Sequence, residues 1–112
     1  MRTVFHLTTG DPDEQARGLS SVANLLADES VDVDGVAVVA NADAVRMFLS
    51  GATNADRVRK LADRGVGFRA CSNSLQRADI LPGRLLDAVE VVPSGVGELT
   101  RLQSEGYAYV RL

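Results

Sequence analysis

Short apolar runs alternate with amphipathic stretches along the whole chain. Thr3 to Thr8 is a β-branched and aromatic run closed by the turn residues Thr9-Gly10-Asp11-Pro12, which predicts a buried first strand. Asp11, Pro12, Asp13 and Glu14 then mark a helix start, because proline suits the first turn and carboxylates suit the positive end of the helix dipole. Ala16, Leu19, Val22, Ala23 and Leu26 recur at helical spacing, giving one apolar face that runs to Asp28 or Glu29.

Gly35 to Ala40 is apolar at every position, the pattern of a strand covered on both faces. Val45 to Leu49 predicts a short helix, and Asn54 is placed to cap another that carries Val58, Leu61 and Ala62 and stops at Gly65. Val66 to Ala70 predicts a third strand running into Cys71, and Asn73 with Gln76 three residues on predicts the opening of a helix. Leu85 and Leu86 are expected in a short helical turn, Ala88 to Val92 in a fourth strand, Glu98 to Gln103 in a last helix ended by Gly106, and Tyr107 to Leu112 in an alternating edge strand. Five strands alternating with helices predict an α/β fold with a parallel sheet, helices on its faces and right-handed crossovers.

The length of 112 residues fits one domain over residues 1–112 with one core. The net charge of -3 and the scatter of the twelve Lys and Arg residues supply no basic field, so nucleic acid is not an expected partner. No apolar run approaches ~18 residues, and acidic residues follow the amino terminus too soon for a secretory core, so neither membrane insertion nor export is expected. A single cysteine forms no intrachain disulfide and no thiolate metal cluster, which fits a reducing cytoplasm; no metal and no cofactor is expected.

Ligands of an open parallel sheet bind beyond the carboxyl ends of its strands. That rule gathers Thr8, Thr9 and Gly10 after the first strand, Asn41 after the second, Cys71, Ser72 and Asn73 after the third, and Ser94 and Gly95 after the fourth. Cys71 precedes a helix start, where amide donors favour a thiolate able to attack sulfur, although free cysteines also commonly pack in cores. His6 reads as a core or interface histidine, or else as a base for Cys71 if its ring reaches the rim. Asp11, Asp13 and Glu14 read as dipole compensation and would repel a phosphate at that helix end. Tyr107 and Tyr109 share one face of an edge strand, and such edges are often covered by a partner chain.

The order VFHLTTGD, GVAVVANADAVRMFL, RGVGFRACSNSLQRADI and AVEVVPSGVGELTRLQSEGYAYVRL resembles the DsrE/DsrF-like family over nearly the whole chain. The resemblance implies a three-layer α/β/α domain whose five-stranded parallel sheet has the order 4-3-2-1-5. It implies homo-oligomers, trimers or hexamers, and a cysteine at the position of Cys71 that accepts sulfane sulfur as a persulfide. A sulfur donor and a sulfur acceptor protein are the partners that this chemistry requires. Many stand-alone relatives carry His-Gly or Asn-Gly after the second strand, where this chain has Asn41-Ala42 and a less free backbone. Two readings stay open: a sulfurtransferase-like persulfide carrier, or a non-catalytic oligomeric module that binds a small ligand or partner, with Cys71 merely packed. Exposure of Cys71 is the expected divider.

Overall fold

The computed structural model describes residues 1–112 and contains the predicted alternation. In chain order it comprises β1 (Arg2–Leu7), α1 (Pro12–Ala27), β2 (Gly35–Ala40), a 3-10 segment (Ala42–Phe48), α2 (Ala55–Asp63), β3 (Gly67–Cys71), α3 (Ser72–Arg77), a 3-10 turn (Pro82–Arg84), β4 (Val89–Val92), α4 (Gly95–Ser104) and β5 (Tyr107–Arg111). All strands are parallel and lie in the order β4-β3-β2-β1-β5, with helices flanking the sheet. No helix is long and apolar enough to cross a membrane.

The two faces of the sheet are covered unequally. Alternate strand residues Phe5, Leu7, Val36, Val38, Phe68 and Ala70 join Leu19 and Val22 of α1, the 3-10 segment and α2 in a cluster of 20 buried residues. Phe48 meets Phe68 edge-on there, with ring centroids 5.7 Å apart. The opposite face packs Val4, Ala37 and Val39 against only Leu99 and Leu102 of α4, a cluster of five. One ten-residue helix therefore shields the second face, and its position controls what that face exposes.

Asp11 caps α1 by accepting from the Asp13 N–H at 3.1 Å, with Pro12 at the first helical position, as the sequence predicts. Two other local expectations need correction. Asn54 precedes α2 but caps nothing: its amide donates to the Pro12 carbonyl at 3.0 Å and to Gln15 Oε1 at 3.3 Å, tying α2 to the start of α1. Leu85 and Leu86 are not helical; Leu85 forms an antiparallel bridge with Leu49, because both leucines fill the large core from an extended segment.

Candidate functional site

The parallel register brings the carboxyl ends of the strands to one rim. Ala40 pairs with Ala70 and Cys71 with Val92, so the next residue after β2, Asn41, stands beside Cys71. Cys71 is the last residue of β3 and also the residue before α3, with extended dihedrals of φ -70 and ψ 118. The helix thus begins at Ser72 and not at a capping box on Asn73, which is instead the second helical residue.

Cys71 is 5% exposed. Burial pushes its thiol up, but the hydroxyl and N–H of Ser74 and the N–H groups of Gly95 and Asn73 outweigh that push and hold it below its ordinary value. Sulfur is a large, soft acceptor, and no capping hydrogen bond forms from its side chain; the effect comes from several donors acting together. Ser74 is itself oriented, because its oxygen accepts the Ala42 N–H at 2.7 Å, leaving its own proton for the sulfur. Ala42 supplies that N–H from a left-handed backbone, φ 53, the position at which the family resemblance implies glycine.

The fourth strand's loop completes the cradle from above. Ser94 caps α4 by accepting the Gly97 N–H at 3.0 Å, which commits its hydroxyl to the helix. Gly95 approaches both neighbouring loops: a Cβ there would lie 3.1 Å from Asn41 Cβ and 3.5 Å from Cys71 Cβ. One turn further on, the buried Glu98 carboxylate accepts from Arg69 Nε at 3.0 Å and from Arg101 at 2.7 Å, and Arg69 also pairs with Glu90 at 3.2 Å. This network pins α4 to the sheet two residues below Cys71, where charge-assisted bonds satisfy the buried carboxylate.

His6 faces the α4 side of the sheet, on the same face as Val4. It is 8% exposed, and both ring nitrogens are bonded: Nδ1 to the Tyr109 hydroxyl at 2.6 Å and Nε2 to Asn41 Oδ1 at 2.8 Å. An amide oxygen only accepts, so Nε2 carries a proton, and in the neutral ring Nδ1 accepts from the tyrosine. His6 is therefore not a base hydrogen-bonded to Cys71; it orients Asn41.

The first loop forms a separate set. Thr9 Oγ1 donates to Glu14 at 2.7 Å and accepts the Asp11 N–H at 3.1 Å, and its carbonyl accepts from Gln15. Gly10 packs on the 3-10 segment, where a Cβ would stand 2.8 Å from Asp43 Cβ. Thr8 lines an open cleft of about 500 Å³ with Glu14, Arg17 and Leu112. None of their hydrogen bonds reaches Cys71. Of the residues read from the sequence, the fold thus joins Cys71, Asn73, Asn41, Gly95 and, through Asn41, His6. Ser72 lies half-buried at the head of α3 and accepts a long contact from Gln76 at 3.5 Å. Ser74 and Tyr109 belong with the site by contact; Ser74 was legible only as the third residue after the cysteine.

A fold of this kind, with a cysteine so placed, is matched along its whole length by a family model. Residues 1–112 match the DsrE/DsrF-like family, and the chain belongs to it. The protein of unknown function MTH1491 from Methanobacterium thermoautotrophicum is similar in sequence and structure, at 38% identity and a TM-score of 0.92, covering 99% of this chain and 98% of that one. The ychN protein from E. coli shares the fold, at 18% identity and a TM-score of 0.83, with both chains covered completely. No protein of curated function shows comparable sequence similarity.

Proposed function

We propose that the protein relays sulfane sulfur, with Cys71 as the carrier. The observation that supports this reading is the donor set around the sulfur: a cysteine that merely filled space would sit among apolar groups, and burial would push its thiol up unopposed. The Cys71 thiolate attacks the outer sulfur of a donor persulfide; a new S–S bond forms to Cys71, the donor's S–S bond breaks, and the electron pair leaves with the donor thiolate. Delivery is the same exchange in reverse onto an acceptor thiolate. No net oxidant or reductant is consumed, and a partner thiol is needed because the chain has no second cysteine to resolve the persulfide.

The partners of this reading are a sulfur donor protein, an acceptor protein and further copies of the chain in a trimer or hexamer. The edge position of β5, with Tyr109 and Val110 41% and 39% exposed, supports association. The 5% exposure of Cys71 favours the second reading, a non-catalytic binding module with a packed cysteine. Intact mass after incubation with glutathione persulfide separates the two. Relay requires the gain of one sulfur by the native protein and none by Cys71→Ser; an unchanged native mass leaves the packed module.

A further inference from the structure

Asn41 is a half-buried polar side chain beside Cys71 whose amide donors have no partner within the chain. The thiol is held by Ser74, Gly95 and Asn73, and Asn41 is not among its donors. Its Oδ1 is fixed by His6, yet its amide nitrogen makes no hydrogen bond within the chain and caps no helix. The strand order decides where that nitrogen goes. His6 lies on β1 and Cys71 on β3, with Asn41 at the end of β2 between them. Because the carboxamide is planar and its oxygen branch is held by His6 on β1, its nitrogen branch is turned away from His6, and β3 with Cys71 is the neighbour on the other side of β2. Gly95, without a Cβ, lets the start of α4 approach both Asn41 and Cys71 closely.

We propose that the Asn41 amide is the binding group for the outer sulfur of the Cys71 persulfide, and that His6 and Tyr109 are positioning residues that prevent the amide from turning over. This rests on the relay reading of Cys71. Ser74, Gly95 and Asn73 already act on the inner sulfur, whereas a persulfide places a second, more anionic sulfur one bond further out, where the N–H groups of Asn41, without a partner in the chain, can serve it. Tyr109 O–H to His6 Nδ1 and His6 Nε2–H to Asn41 Oδ1 all point one way, so each bond strengthens the next and the chain ends on the amide.

The test uses the full chain loaded with glutathione persulfide, followed by intact mass over time and by the side-chain amide resonances of Asn41. Asn41→Asp keeps the side chain's shape and an acceptor for His6 while removing the donors. It is expected to shorten the persulfide lifetime about tenfold at unchanged melting temperature, the size of one lost charge-assisted bond. Tyr109→Phe is expected to shorten it about threefold, since the amide is only less well oriented. The Asn41 amide signals should move when the native protein is loaded and stay in place in Cys71→Ser. A native protein that loads normally, with Asn41→Asp and Tyr109→Phe persulfides as long-lived as its own and amide signals unmoved, overturns the assignment while leaving the relay intact. A native protein that never loads removes the relay and this assignment together.

Discussion

At the β1 end of the rim, the Thr9 hydroxyl, the Glu14 carboxylate, the Asp11 N–H and the Gln15 amide bond to one another. At the β2 to β4 end, Ser74, Gly95 and Asn73 surround one thiol and together hold it below its ordinary value. Both ends are polar and both stand where parallel sheets bind ligands, but the first satisfies itself. Donors whose acceptors lie in the same loop stabilise a turn, and donors aimed at a reactive atom change its chemistry.

Ser74→Ala should have the largest effect. It removes both the acceptor of the Ala42 N–H and a donor to the thiol, so a loss of about 1–2 kcal/mol is expected together with a higher alkylation midpoint for Cys71. The sign with pH follows from the lowered thiol: the ionised form adds stability above the ordinary value of 9.0, and that part is lost as pH falls through the folded value. Denaturant titrations of the native protein and the variant should therefore diverge as pH rises toward 9.0 and draw together below. A gap independent of pH would mean that Ser74 only holds the loop.

Asp11→Ala probes the other end. Loss of the cap on the Asp13 N–H should cost about 1 kcal/mol, read as a lower denaturation midpoint, while sulfur loading stays at the native level. Loading that falls with the cap would erase the division of the rim into two ends. The smallest change is a gain. Ala42→Gly should raise stability by about 0.5–1 kcal/mol, since glycine occupies the left-handed backbone without the Cβ penalty, provided the Ser74 contact persists.

The strands and the sheet were legible because burial writes itself into apolar runs: GVAVVA occupies the central strand over the predicted residues, and Asp11-Pro12 starts α1 where expected. Strand order came only from the family resemblance, as local patterning does not say which strands are neighbours. Cys71 was placed at its junction, but its surroundings were not. Ser74 looks like any helix serine until the Ala42 N–H fixes its oxygen. Asn54 has the residue type of a cap, yet its amide serves the start of α1, 42 residues away. Tyr109 read as an exposed edge residue, and its bond to His6 spans 103 positions that no periodicity connects.

That span also sets the order in which the molecule can be finished. β1 pairs with β2 early in the chain, whereas β5 can join β1 only after every intervening element has been made, and closing so long a loop is entropically late. Cys71 and its neighbouring donors lie outside β5, but the hydroxyl that orients His6 lies on it. An edge strand that frays would therefore detune the amide at Asn41 while leaving the cysteine's own cradle assembled, so amide hydrogen exchange in β5 would report how often the site is complete.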